Sequence, residues 1–116
     1  MDNVKERTVP NYLLIEARDP FTTPAGAGHV ELAVGLARAG NAVTVYLVQN
    51  GVLPARAGAD GDALHEALAA GVEVLADDFS LRERGIGEHD LSRGVKPASI
   101  GIVPGRLAEA WKVMFL

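Results

Sequence analysis

The segment LARAGNAVTVYLVQNGV, residues 36–52, decides the fold. It opens with the end of a helical pattern, turns at Gly40, and continues as AVTVYLV, residues 42–48, which is almost entirely apolar and rich in β-branched residues. Such a run is typical of a central strand that is covered on both faces. The chain then leaves the strand through Gln49, Asn50 and Gly51. The segment therefore predicts a helix, a tight turn and a buried strand, in that order.

The same alternation of helix and strand extends outward from this segment. Further strands are predicted at residues 12–17, 72–76, 95–98 and 113–116. Helices are predicted at residues 25–39, from Asp62, before Gly85, and from Pro104 through Trp111. The connections are so short that the strands must be joined by βαβ crossovers. We therefore expect an α/β fold, a three-layer α/β/α sandwich with a mainly parallel five-stranded sheet.

The length of the chain, 116 residues, fits one domain with one set of packed layers. Residues 1–10, MDNVKERTVP, are charged and carry no apolar pattern, so we expect them to form a loose N-terminal arm. Residues 11–116 are expected to form the single domain.

Charge and composition exclude several classes of function. The formal net charge is −4, so the chain shows neither the basic footprint of a nucleic-acid-binding protein nor a polybasic membrane anchor. No apolar run reaches the roughly 20 residues that span a bilayer, and the N-terminus lacks a signal-like apolar region. We expect a cytoplasmic protein that binds neither nucleic acid nor membrane.

The chain contains no cysteine. Disulfides and thiolate metal sites are therefore excluded, and so is persulfide or thioester chemistry on a sulfur of its own.

Polar residues follow several of the predicted strands, where ligands gather in parallel α/β sheets. The candidate pocket residues are Asp19, Asn50, Asp77, Asp78, Ser80 and Arg84. Asp77 and Asp78 could act as an acid/base pair, since two nearby carboxylates push their pKa values apart. Adjacent residues that leave a strand point in different directions, however, and Asp78 or Ser80 fits the N-cap of the following helix.

Metal and nucleotide sites are disfavoured by spacing. His29, His65 and His89 show no paired spacing such as H-x-x-x-H, so we expect structural or surface roles for them and no metal. The segment GAGHVE, residues 26–31, lacks the third glycine of the dinucleotide fingerprint, and no nucleotide-binding Gly-Lys-Ser/Thr follows it. We expect no cofactor.

From residue 12 to residue 116 the chain resembles the DsrE/DsrF-like proteins, a small α/β family whose better-known members relay sulfur. The resemblance rests on the order and spacing of five segments: DPFTTPAG, LARAGNAVTVYLVQNGV, LHEALAAGVEV, RERGI and KVMFL. Sulfur-relay members carry a cysteine eight residues before the glycine of the RERGI-like segment. Counting back from Gly85 gives Asp77. The resemblance therefore implies a member of the family that lacks the relay cysteine and assembles as a homo-oligomer, a trimer or a hexamer.

Three functions remain open on these grounds. The first is a non-catalytic binding or assembly subunit linked to sulfur metabolism, which we favour because no nucleophile-base-orienter set is present. The second is an enzyme that uses the strand-end polar groups on a small molecule or anion. The third is a sulfur-transfer accessory that relies on the thiol of a partner protein.

Overall fold

Five parallel strands form the centre of the computed structural model, which describes residues 10–18, 25–59 and 62–116. The strands are β1 (Asn11–Glu16), β2 (Ala42–Leu47), β3 (Glu73–Asp77), β4 (Lys96–Ala98) and β5 (Lys112–Phe115). Their order across the sheet is β4-β3-β2-β1-β5, and every neighbouring pair is parallel. The predicted α/β fold is confirmed. Of the expected arm, only Pro10 belongs to the described residues.

In these described ranges, four α-helices connect the strands as crossovers. They are α1 (Ala25–Arg38), α2 (Asp62–Ala69), α3 (Asp78–Glu83) and α4 (Ile102–Ala108). Two 3-10 helices, Gln49–Ala55 and Glu88–Asp90, occupy segments that the sequence pattern left as loop. The first of these passes over the carboxyl ends of the strands.

The sheet buries its two faces to different degrees. On one face, α1 and α2 pack over a large apolar cluster that includes Leu14, Val45 and Val74. The opposite face has a smaller cluster of four buried residues, Leu13, Ile15, Tyr46 and Leu75, against which α4 packs through Ile102 and Val103. Helix α4 has only seven residues, and the apolar side chains of Ile100 and Phe115 remain exposed.

Helix α4 lies earlier in the chain than the sequence predicted. It begins at Ile102 and ends at Ala108, and Ala110 has a left-handed φ of 67°. The predicted extension through Trp111 is therefore wrong. The indole of Trp111 instead lies beneath the guanidinium of Arg106, 4.4 Å from the ring centroid. Arg106 also donates to Thr44 at 2.8 Å, which ties α4 to the centre of the sheet.

In the described ranges, no helix combines the length and apolar character that a bilayer crossing requires.

Candidate functional site

Asp77 lies at the carboxyl end of β3, on the face of the sheet that packs against α4. Asp77 is the last residue of the strand and is 7% exposed. A carboxylate buried to this extent must be paired or hydrogen-bonded to be tolerated.

Tyr46 and Ser80 donate three hydrogen bonds to the Asp77 carboxylate. Its Oδ1 accepts the hydroxyl of Tyr46 at 2.8 Å, and its Oδ2 accepts both the hydroxyl of Ser80 at 2.6 Å and the backbone N–H of Ser80 at 3.0 Å. Asp77 is thus the N-cap of α3. The prediction that Asp78 or Ser80 caps this helix is wrong, because Asp77 ends the strand with extended backbone and the helix starts one residue later.

The hydrogen bonds also fix the charge of this site. Burial acts to raise the pKa of Asp77, but hydrogen bonds from Ser80 and Tyr46 and from the backbone of Phe79 outweigh it, so that the net pKa lies below the ordinary value of 3.8. Burial and the neighbouring carboxylate raise the pKa of Tyr46. The pair is therefore a carboxylate that accepts from a neutral phenol, which is a structural arrangement and not a proton-sharing dyad.

This shift predicts how stability depends on pH. The pKa of Asp77 is lower in the folded state than in the unfolded state. The stability that Asp77 contributes is therefore complete above the pKa of an unfolded aspartate, and it is lost as the pH falls through the folded-state pKa. We expect the free energy of unfolding to fall more steeply in wild type than in Asp77→Asn below about pH 4, measured by urea unfolding from roughly pH 5 to pH 2. Parallel curves for the two proteins would contradict the assignment.

A sharp turn after β2 brings the backbone close to Asp77. Gln49 has a left-handed φ of 52°, and its N–H donates to the Ser80 hydroxyl at 2.8 Å. Gly51 follows, packed so closely on β1 that a Cβ at this position would overlap the carbonyl oxygen of Glu16. Left-handed backbone at a non-glycine residue is typical of functional sites, where the surrounding structure enforces it.

Beside Asp77 lies a groove of about 610 Å³, which we call the strand-end groove. Its apolar lining consists of Ile15, Val48, Phe79, Ile100, Val103, Pro104 and Phe115. Its polar lining consists of Gln49, Asp77, Asp78, Ser80, Glu83 and Ser99. A mainly apolar cleft of this volume with a few polar groups at one end is the usual form of a small-molecule site.

The structure divides the predicted pocket residues into two groups. Asp77, Asp78 and Ser80 line the strand-end groove. Asn50 instead accepts from the guanidinium of Arg84 at 3.0 Å, and Arg84 lines a second cavity of about 390 Å³ together with His89. Asp19 lies outside the described residues.

A second polar pair, which the sequence pattern did not reveal, lies on the other side of the sheet. Glu16, treated only as an interruption of an apolar strand, is 5% exposed and contacts Nδ1 of His29 on α1. Its other oxygen accepts the backbone N–H of Arg18 at 2.7 Å. The only signal for this pair in the sequence is the acid within the buried strand. His65 and the His89 side chain are exposed.

The fold and site define a parallel α/β protein with an apolar groove at the carboxyl ends of its strands. The ychN protein from E. coli has the same fold, with a TM-score of 0.84 at 17% identity over 92% of this chain and 99% of that chain. The MTH1491 protein of unknown function from Methanobacterium thermoautotrophicum matches with a TM-score of 0.76 at 21% identity, over 92% and 98% of the two chains. BT1422 from Bacteroides thetaiotaomicron, also of unknown function, matches with a TM-score of 0.70 at 18% identity, over 91% of this chain and 95% of that chain. No protein-family model and no curated protein sequence matches the chain.

Proposed function

We propose that the chain is a DsrE/DsrF-like binding subunit that holds a small molecule non-covalently in the strand-end groove. The observation that carries this proposal is the position of a 610 Å³ apolar groove beside a carboxylate that is already fully engaged in capping α3. Asp77 therefore contributes charge and shape to the groove. A catalytic acid or base would need a carboxyl group free to exchange protons with a substrate.

A neutral aromatic compound tests whether the groove binds at all. We expect 3-phenylpropan-1-ol to shift the backbone amide NMR signals of Phe79 and Ile100 in wild type. The variant Phe115→Glu should abolish these shifts, because Phe115 lines the groove and is 79% exposed, so that its replacement leaves the core intact. The matched control is Leu107→Glu, which alters an exposed leucine that does not line the groove. Shifts scattered over the surface would refute the proposal.

The link to sulfur metabolism rests on the family resemblance, in which Asp77 stands at the relay-cysteine position. Sulfur transfer requires a thiolate to attack the terminal sulfur of a donor persulfide, forming one S–S bond while the donor's S–S bond breaks and its thiolate leaves. A chain with no cysteine cannot form that bond. If the protein participates in such a pathway, it does so as a non-covalent partner of a sulfur-transfer protein.

A persulfide-loaded sulfurtransferase tests this part of the proposal. Intact-mass spectrometry should show no added sulfur on wild type. Asp77→Cys should gain one sulfur atom, because the thiolate would lie where Ser80 and Tyr46 already donate to a negative charge. A sulfur adduct on wild type would overturn the negative claim. An unreactive but folded Asp77→Cys would refute the equivalence of position 77 with the relay cysteine.

Self-association into a trimer or hexamer belongs to the same proposal. Strand β5 ends the sheet and pairs with β1 alone among the described strands, so its outer edge offers backbone groups to another chain. Leu32 and Leu107, on two different helices, are also exposed. Light scattering should give a multiple of 12.2 kDa, and a strictly monomeric mass would contradict it. A cytoplasmic location is likewise proposed, and cell fractionation tests it.

A further inference from the structure

We propose that the strand-end groove selects molecules that carry a protonated amine on an aromatic or comparably apolar body. This inference rests on the proposed function, because it names the class of ligand for the same groove. It follows from three features: the aromatic walls of the groove, the sign of the charged side chains that line it, and the exposure of two of these side chains.

The walls of the groove suit a flat apolar body. Phe79 is 56% exposed, Ile100 61% and Phe115 79%, although all three are large apolar residues that line one groove. Large apolar side chains that share an exposed concave surface are typical of a ligand or partner site. Two phenyl rings also favour an aromatic guest and a neighbouring cation, through offset stacking and cation–π attraction.

Among the described residues, the charged side chains that line the groove are all acidic. Asp77, Asp78 and Glu83 line the groove, and in the described part of the chain no lysine, arginine or histidine does so. Arg82 approaches Asp78 at 3.7 Å and Arg84 approaches Glu83 at 3.9 Å, but both contacts are long and lie outside the lining. Partly exposed pairs of this kind are weak, so an incoming cation can compete with each arginine for its acid. A cationic group therefore gains from entering the groove, and an anionic group is repelled.

The two outer acids, Asp78 and Glu83, are the groups that the amine contacts. Their side chains are 40% and 56% exposed. Asp77 is only 7% exposed, and its oxygens already accept from Tyr46, Ser80 and the backbone of Phe79. It therefore adds negative charge to the groove without a direct contact to the ligand.

Three compounds with one body and different end groups test the proposal: 3-phenylpropan-1-amine, 3-phenylpropan-1-ol and 3-phenylpropanoate. By calorimetry at low salt, we expect the amine to bind about tenfold more tightly than the alcohol, and the carboxylate most weakly. Raising the salt should reduce the difference, since the outer acids are exposed to solvent.

Two double variants distinguish the effect of the acids in the groove from the effect of the net charge of the protein. In Asp78→Asn/Glu83→Gln, the preference for the amine over the alcohol, measured as the ratio of the two affinities, should fall severalfold. The control Glu31→Gln/Glu109→Gln removes two exposed acids outside the groove and should leave both affinities unchanged.

The outcomes distinguish the two proposals. Equal affinities for all three compounds would overturn selection for amines and preserve the binding groove. Binding of none of them would overturn both. If Phe115→Glu lowers the mass measured by light scattering and wild type binds no compound, the groove is instead covered by a second copy of the chain, and both proposals are refuted.

Discussion

Replacing Asp77 with alanine should lower the free energy of unfolding by about 2–4 kcal/mol, although Asp77 is the last residue of its strand. The substitution removes a helix N-cap, which costs roughly 0.5–2 kcal/mol. It also leaves the buried hydroxyl of Ser80 without its acceptor, which costs roughly 1–3 kcal/mol, and leaves the Tyr46 hydroxyl with only the carbonyl of Ala98, at 3.2 Å, among its described acceptors. The two contributions overlap, because Ser80 takes part in both. Urea unfolding followed by circular dichroism measures the change.

Asp78→Ala is the matched control for this substitution. Asp78 is adjacent in sequence and carries the same charge, but its side chain is 40% exposed and, within the described part of the chain, forms an ion pair with Arg82 at 3.7 Å. We expect a loss below about 1 kcal/mol, from the first-turn charge and a weak ion pair. A double-mutant cycle of Asp77→Ala with Tyr46→Phe should show coupling of about 1 kcal/mol. Equal losses for the two aspartates would show that Asp77 is not the cap and anchor described above.

Gly51→Ala should cost about 2–3 kcal/mol, even though alanine is favoured over glycine in most helical positions. A Cβ here would overlap the carbonyl oxygen of Glu16 and lie 3.1 Å from its carbonyl carbon. Backbone cannot move aside as a flexible side chain can. The 3-10 helix Gln49–Ala55 would have to shift away from β1, which would displace the N–H of Gln49 from Ser80. We therefore expect weaker binding in the strand-end groove as well.

The control for Gly51 is Gly35→Ala. Gly35 lies on the exposed face of α1, and a Cβ added there meets nothing within 4 Å. This variant should gain about 0.5–1 kcal/mol from the reduced freedom of the unfolded chain. If Gly51→Ala were as stable as wild type in thermal or urea unfolding, the close packing of the Gly51 backbone against β1 described above would be contradicted.

The sheet could be predicted from sequence because its strands are buried on both faces and therefore carry long apolar runs. The segment Ala42–Leu47 is the clearest case, and its predicted and observed ends differ by one residue. At β3 the prediction stopped at Ala76, because an aspartate is a poor strand residue. The structure includes Asp77 because it pairs with Ala98 of β4, a contact between distant parts of the chain that periodicity does not encode.

The candidate site was predicted less completely than the sheet. Three of the residues predicted at the carboxyl ends of the strands, Asp77, Asp78 and Ser80, line one groove. Local pattern could not separate Arg84 and Asn50 from them, because the direction of these side chains depends on the 3-10 helix after β2. Phe79, Ile100 and Phe115 were not predicted as site residues, because apolar residues are expected in the core and local sequence pattern does not show that these three are exposed.

Intermolecular nuclear Overhauser effects test most directly the central claim that this chain binds a small aromatic molecule beside a structural Asp77. With 3-phenylpropan-1-amine bound, we expect contacts between its ring protons and the methyl groups of Ile100 and Val103, which line the strand-end groove. The methyl groups of Leu64 and Val74, in the cluster across the sheet, should show none. Contacts from the ring to Leu53 or Ile86, which line the second cavity, would contradict the account.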